Sequence, residues 1–224
     1  MALSREALRD LYRKRAPAYD FSANLYYLIG FREIHYRKQA VAALDLRPGD
    51  TVVELGCGTG LNFKYLRRDM GNTGRLLGVD LADAMLAQAA ERIKRKGWNN
   101  VELVRRDAAE FSFPAGTNGV ISTFALTLVP EYEEVIGKAA KALGNKGRLV
   151  VLDFKLPQNW PLWLVKLFAF VSRPFGVTLD LAERKPWKSM ERHFSKVSMN
   201  EMYGGLVYIA VGSNGEGPAN EQKE

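Results

Sequence analysis

The period of the apolar positions changes along this chain, and the changes mark out its elements. Over 3–15 they recur at helical spacing. Leu8, Leu11 and Tyr12 share a face ringed by Arg5, Arg9, Arg13, Lys14 and Arg15, and Ser4 is placed to cap the start. Pro17 ends that helix, and a second is predicted over 26–44, stopped by Arg47-Pro48-Gly49-Asp50. From Thr51 onward short apolar runs alternate with amphipathic stretches. The runs at 51–55, 75–79, 101–104, 119–124 and 147–154 predict strands; the stretches at 61–69, 83–96 and 131–143 predict helices. Val150-Val151-Leu152 is unbroken, as in a strand covered on both faces. Such alternation predicts an α/β fold, a Rossmann-like doubly wound sheet that is mostly parallel. The pattern then changes again. Strands at 194–199 and 206–211, joined through Tyr203-Gly204-Gly205, predict a closing antiparallel hairpin. Residues 213–224 are polar with nothing to bury and are expected to form a disordered tail.

Composition narrows the class. A chain of 224 residues at 47% hydrophobic can bury one sizeable core, so residues 1–212 are expected to form a single domain. One cysteine allows no internal disulfide, and a reducing cytoplasm is the natural compartment. Residues 1–10 lack the apolar run of a signal peptide. The greasiest stretch, 160–171, is broken by Lys166 and falls short of the roughly 20 residues that cross a bilayer. The expectation is a soluble or peripheral protein. A net charge of +7 favours anionic partners, and nucleic acid, anionic lipid and an ordinary basic enzyme surface all satisfy it.

The chemistry begins at Thr51-Val-Val-Glu-Leu-Gly-Cys-Gly-Thr-Gly60 and continues at Arg75-Leu-Leu-Gly-Val-Asp80. An apolar strand runs into a glycine turn, and the next strand delivers a carboxylate at its carboxyl end. Together they suit an adenosyl cofactor: glycines let the backbone approach, and Asp80 takes the ribose hydroxyls. Dinucleotide sites use G-x-G-x-x-G and aim a helix amino terminus at a pyrophosphate. Here Gly56, Gly58 and Gly60 are spaced one residue tighter, and Glu54 stands just upstream. A carboxylate there would repel a pyrophosphate and attract the ammonium of an amino acid. S-adenosylmethionine (SAM) carries that ammonium and no phosphate. Cys57, inside the turn, reads as a small residue that a tight loop tolerates.

With turn, carboxylate and hairpin taken together, residues 12–212 resemble a class I SAM-dependent methyltransferase. The resemblance implies that the backbone of 54–60 holds the methionine part of SAM, with Glu54, Gly56, Cys57, Gly58 and Gly60 in the site, and that Asp80 holds the ribose. Asp107-Ala108 resembles the pair that meets the adenine, with Leu81 and Met85 packing on its face. Ser122-Thr123-Phe124 resembles the motif where cofactor and acceptor meet. Two departures stand out: Asn118 replaces an acid that often opens the fourth strand, and Thr127-Leu128 lies where a His is common. Tyr19-Asp20, between the first two helices, resembles the lipid- and quinone-directed branch, which includes ubiquinone/menaquinone C-methyltransferases and bacterial phosphatidylethanolamine N-methyltransferases. In that branch the amino-terminal segment, here 1–46, folds over SAM as a lid, and an aromatic ring closes the site. Tyr19 is the catalytic candidate on that ground.

Methyl transfer from a sulfonium is an in-line displacement whose thioether leaves without a proton. Positioning carries most of it, at about 7–11 kcal/mol. No metal site is called for. Tyr12, Tyr26, Tyr27 and Phe124 are further aromatic candidates, while His35 and His193 read as structural. The acceptor is expected to be a lipid or other hydrophobic small molecule. Phosphatidylethanolamine, methylated on nitrogen, comes first because an amine needs little base chemistry; a quinone precursor methylated on carbon is the alternative. The apolar stretch 160–171 and the basic first helix would let one face rest on an anionic membrane. Nucleic-acid methylation or binding is disfavoured, since no RNA-binding module or base-flipping signature is present.

Overall fold

Strand β1 (Thr51–Leu55) is buried along nearly its whole length, because the sheet passes it between two helical layers. Its period of two sends Val52 to one face and Val53 and Leu55 to the other. Neighbours on either side are parallel: β2 (Arg75–Asp80) pairs Thr51 with Arg75, and β4 (Thr117–Thr123) pairs Val52 with Gly119. With β3 (Val101–Arg105), β5 (Leu143–Phe154), β6 (Lys196–Met202) and β7 (Val207–Ser213) they make a seven-stranded sheet of order β3-β2-β1-β4-β5-β7-β6. Only the pairings of β7 are antiparallel. The fold is therefore the Rossmann-like, mostly parallel sheet with a closing hairpin that the alternation predicts. This computed structural model describes residues 5–16, 30–157, 160–161 and 184–215. Tyr19, Asp20, Tyr26 and Tyr27, most of the apolar stretch at 160–171, and the tail from 216 lie outside them.

One helical layer holds α2 (Glu33–Ala43), α3 (Phe63–Met70) and α4 (Asp83–Lys96), with Ala40, Val41, Phe63, Leu66 and Ala89 sealed against the sheet. The other holds α5 (Tyr132–Ala142) and α6 (Pro186–His193), with Val135, Ile136, Ala139 and Met190 inward. Each fully buried large aliphatic contributes about 1.5–3 kcal/mol, so both faces are needed. Helix α1 (Arg5–Arg15) stands apart and packs on α4, where Ala16 and Tyr12 meet Ala82 and Met85. Gly97 ends α4 as expected: the amides of Gly97 and Trp98 turn back to the carbonyls of Lys94 and Ile93.

Several boundaries move. Of the helix predicted over 26–44, the described part runs Glu33–Ala43 after a turn at Gly30 and a non-helical Arg32, and residues 26–29 lie outside the described residues. Helix α3 starts at Phe63 rather than 61, after the turns that close the glycine loop. Strand β4 runs from Thr117 and stops at Thr123, because Phe124 takes a left-handed φ of 56° that cannot continue a strand. Strand β5 begins at Leu143, directly after α5, and its register with β4 then shifts so that Arg148 pairs Gly119. Strand β6 begins at Lys196, not 194, because Phe194 is the buried cap of α6. The polar tail was expected from 213, yet Ser213 still pairs with both Arg148 and Lys196.

Candidate active site

The strand order reverses direction between β1 and β4, and a crevice opens there at the carboxyl ends of the parallel strands. Its base is the turn after β1. Gly56 has no room for a side chain, since a Cβ there would lie 2.3 Å from the Cβ of Ala125. Gly58 differs: a Cβ would meet nothing within 4 Å and would project into open space, and its φ of 54° disfavours any other residue. Gly60 lies behind the crevice, packed on the Phe63 ring. The Cys57 amide bonds to the Val79 carbonyl at 3.0 Å, tying the turn to β2. Burial, reinforced by the nearby Asp80 and Glu54 carboxyls, pushes the Cys57 thiol well above its ordinary range, so it is an inert packing group.

Asp80 braces the same turn. Its Oδ2 accepts the Gly58 amide at 2.8 Å and its Oδ1 the Ala82 amide at 2.9 Å. Each carboxylate oxygen has a second lone pair, so ribose hydroxyls can still be received. Burial raises the Asp80 carboxyl, and the amides of Ala82, Gly58 and Leu81 oppose that rise. Leu81, Met85, Asp107 and Ala108 line the neighbouring wall, where Asp107 Oδ1 accepts the Ala109 amide at 2.9 Å. Arg9 and Tyr12 of α1 close this end from outside, and Arg13 fastens α1 to Asp83 with contacts of 2.9 and 2.7 Å.

Glu54 sits beneath the turn, 1% exposed, and opens a network that sequence reading did not find. Its Oε1 accepts from Asn62 Nδ2 at 2.7 Å. Asn62 also donates to Thr123 Oγ1 at 3.0 Å, and Arg37 Nη1 donates to the same hydroxyl at 2.6 Å. Arg37 Nε in turn donates to Glu33 Oε1 at 2.7 Å. Glu33 and Arg37 are both buried, although an i,i+4 pair of this kind in a sequence normally marks a solvated helix face. The positive end of Arg37 lies 5.3 Å from the centre of the Phe124 ring and lines the crevice. Burial lifts the Glu54 carboxyl to about 8, with Asn62 and Arg37 restraining it and Asp80 adding to the rise. Its Oε2, like the hydroxyl of Ser122, is sealed from solvent and has no hydrogen-bond partner among the described residues.

Past Thr123 the walls become apolar. Phe124, Ala125, Leu126, Leu128, Val129 and Pro130 border the crevice. Phe124 stacks within a cluster of rings, 4.8 Å from Phe154 and 6.0 Å from Phe31. Its left-handed backbone stores about 1–3 kcal/mol, the kind of strain that gathers at functional turns. Of the residues singled out in the sequence, Gly56, Cys57, Gly58, Asp80, Leu81, Met85, Asp107, Ala108, Ser122, Thr123 and Phe124 line one crevice. Glu54 and Gly60 support it from behind, and Tyr19 lies outside the described residues. His193 faces Glu133 at 3.2 Å on the far layer, and His35 is exposed on α2. Asn118, the departure at the start of β4, accepts the Thr51 amide at 2.8 Å and serves the strand rather than the crevice.

Residues 52–147 match the family model described as "Methyltransferase domain". A 2-phytyl-1,4-naphtoquinone methyltransferase of Thermosynechococcus vestitus is 31% identical over 225 residues, covering 91% of this chain and 97% of that one. The chain belongs to the class I SAM-dependent methyltransferases. A demethylmenaquinone methyltransferase of Listeria welshimeri is 26% identical over 175 residues, or 76% of this chain and 73% of the relative. A SAM-dependent methyltransferase of Aquifex aeolicus has the same fold, with TM-score 0.59 at 18% identity over 79% of this chain and 88% of that one. SAM is the cofactor of this methyltransferase, and the crevice fits it on its own terms. An orphaned carboxylate oxygen, a cradle open above Gly58 and a doubly anchored Asp80 are features a nucleoside amino acid would complete.

Proposed function

We propose that this methyltransferase methylates a ring carbon of a reduced quinone nucleus carrying a hydrophobic side chain. The observation that carries the reading is the change of character along the crevice, from hydrogen-bonding groups to the apolar wall of Phe124, Leu126, Leu128 and Val129. A flat aromatic acceptor suits such a wall, where ring contacts are worth about 0.5–1.5 kcal/mol beyond the area they bury. Similarity over nearly the full length of a naphthoquinone methyltransferase supports the same choice. Both curated relatives named above act, by their names, on quinone nuclei. Phosphatidylethanolamine N-methylation, the first expectation from sequence, therefore yields to the alternative.

The geometry supports the following assignments. Bound SAM supplies an electrophilic methyl on a sulfonium. Glu54 takes the ammonium of its methionine part through the unpartnered Oε2, and Arg37, the buried cation at that end, takes the carboxylate. Asp80 holds the ribose hydroxyls and Asp107 the adenine amine, with Leu81 and Met85 on the adenine face. Cys57 contributes backbone, Ala108 and Ser122 contribute lining, and Tyr19 remains the candidate for the closing ring. Thr123, fixed by Arg37 and Asn62, and Phe124 stand between cofactor and acceptor. A quinone ring is an electrophile; only its hydroquinone has an electron-rich carbon able to attack a methyl. SAM held in the crevice would supply its methyl to that carbon, with the thioether as leaving group and the ring proton passing to water. The chain's own part is to align and to exclude solvent.

The test offers three acceptors with labelled SAM: a 2-prenylated 1,4-naphthohydroquinone with a free ring carbon, the same compound oxidised, and phosphatidylethanolamine vesicles. Mass spectrometry should find one added methyl on the hydroquinone alone. Label on the phospholipid amine would restore the other reading. An isoprenoid acceptor lives in a bilayer, and the exposed Arg13 and Lys14 of α1 suit a peripheral approach. No helix among the described residues is long and apolar enough to cross a membrane. Flotation with anionic vesicles at low salt should carry the protein upward; protein left in the pellet at every salt concentration would remove the membrane contact.

A further inference from the structure

Another buried carboxyl stands at the carboxyl end of β5, and nothing in the cofactor chemistry uses it. Asp153 is 4% exposed. Strand alternation sends it with Val151 toward α5 and α6, while Leu152 and Phe154 face α2. Its Oδ2 accepts the Thr127 amide at 3.0 Å, and its Oδ1 accepts the Phe154 amide at 2.9 Å. Thr127 is the middle of a 3-10 turn, Leu126–Leu128, that leads away from the strained Phe124. One carboxyl thus fastens the turn after β4 to the neighbouring strand. From the other side, Arg184 Nη1 donates to the Thr127 carbonyl at 2.7 Å. The turn is gripped at both ends of a single residue.

What this grip controls is the apolar wall. Phe124, Leu126 and Leu128 all border the crevice, whereas Asp153 itself does not. We propose that Asp153 is a positioning residue for methyl transfer: by holding the Thr127 amide it sets the turn after β4, and with it the wall against which the acceptor ring lies. The inference rests on the methyltransferase reading of the crevice and adds a residue to it.

The carboxyl is an expensive way to hold an amide, which argues that the fold does not keep it for stability. Burial pushes Asp153 up to about 6, although the Thr127 amide and hydroxyl and the Phe154 amide favour its charged form. Among the described residues no cation forms an ion pair with it. Tyr208 lies opposite in the β5–β7 register, with its own hydroxyl pushed well up by burial and its ring edge-on to that of Trp187, centroids 4.9 Å apart. Tyr132 of α5 acts on Tyr208, and Lys155 is occupied by Glu201 and by the Trp187 face. The hydroxyls of Thr127 and Tyr208 are sealed from water and neither completes a hydrogen bond of full geometry. Replacing the carboxylate by a neutral amide therefore relieves a buried charge, which offsets the contact it gives up. It cannot preserve the grip. An Asn has one accepting oxygen for two amide donors, and its NH₂ would face one of them.

Asp153→Asn separates a structural role from a positioning one. In the variant, kcat for the prenylated naphthohydroquinone should fall about tenfold or more, since a shift of about 1 Å at the reacting centre can cost a hundredfold. SAM affinity by calorimetry should stay within about twofold, and the melting temperature within a few degrees. Hydrogen exchange should quicken at the amides of 124–128 and stay unchanged in the loop 56–60. Arg184→Gln loosens the far side of the same turn and should give a smaller change of the same kind. It serves as the second handle should the first variant fold poorly. Parental turnover with parental exchange in both variants would overturn the proposal, as would loss of SAM affinity and stability in step with activity. If the parent binds SAM but methylates no hydroquinone, the acceptor assignment has failed instead. The exchange measurement then decides alone: faster exchange over 124–128 upholds the grip, and equal exchange ends it.

Discussion

The crevice has two ends held by different means. Where we place the adenosyl group, the carboxylates of the wall bond to backbone amides no more than 22 residues away: Asp80 to those of Gly58 and Ala82, Asp107 to that of Ala109. Where cofactor gives way to acceptor, buried side chains from distant elements meet. Arg37 reaches Thr123 across 86 residues, and Arg184 reaches Thr127 across 57. A local constellation can be altered with little effect beyond its ligand. A long-range buried one is part of the core, and altering it disturbs fold and site together.

The sharpest way to break that comparison is at Arg37. Arg37→Met leaves Glu33 buried without its cation and should cost about 3–5 kcal/mol in urea unfolding. The double variant with Glu33→Leu should recover most of that loss while SAM affinity stays low. Were the single variant as stable as the parent, the network would be an ornament of the surface and the contrast would fail. Asp80→Ala probes the local end. It should weaken SAM by about 1.5–3 kcal/mol, roughly ten- to 150-fold, with a far smaller change in unfolding than Arg37→Met.

The turn itself allows a finer cut, because its glycines face different things. Gly56→Ala drives a methyl against Ala125 and should lower stability by about 1–3 kcal/mol. At Gly58→Val the added Cβ meets nothing within 4 Å, so its damage beyond the strain of a left-handed backbone should fall on SAM binding. Thermal melts with and without SAM distinguish the two: the first variant melts early but gains from SAM, and the second gains nothing.

Much of the local end was legible in the sequence, for a physical reason. A strand, a tight turn and a carboxylate at the next strand's end all lie within one stretch from Thr51 to Asp80, so spacing alone defines their geometry. The mostly parallel sheet and its closing antiparallel hairpin followed from the same alternation of periods. Arg37 was not legible, because Glu33 and Arg37 have the spacing of a surface ion pair and only tertiary packing buries them. Asp153 was hidden in another way: it reads as the last polar residue of an apolar strand, and its partner Thr127 is fixed only once β4 stops at Thr123. That early stop was itself missed, since Phe124 has the composition of a strand residue and the backbone of a turn.

The smallest effect tests the link between the two ends, Glu54. Its carboxyl is held at about 8 in the free protein, so near pH 7 it is mostly protonated. An ammonium against Oε2 favours the charged form and should drive that proton off. Calorimetry in buffers of different ionisation enthalpy should then show most of one proton released per SAM bound at pH 7, falling toward none by pH 9. Glu54→Gln should release none at either pH. Stability carries the same sign. A carboxyl raised from 4.5 to about 8 on folding stabilises the fold below 4.5 and loses that contribution as pH rises through 8. The melting temperature of the free protein should therefore decline across that window, and saturating SAM should flatten the decline. A parent whose SAM binding exchanges no proton, or whose melting profile SAM leaves unchanged in slope, would place the ammonium elsewhere. Glu54 would then be a core carboxyl that serves only to hold Asn62.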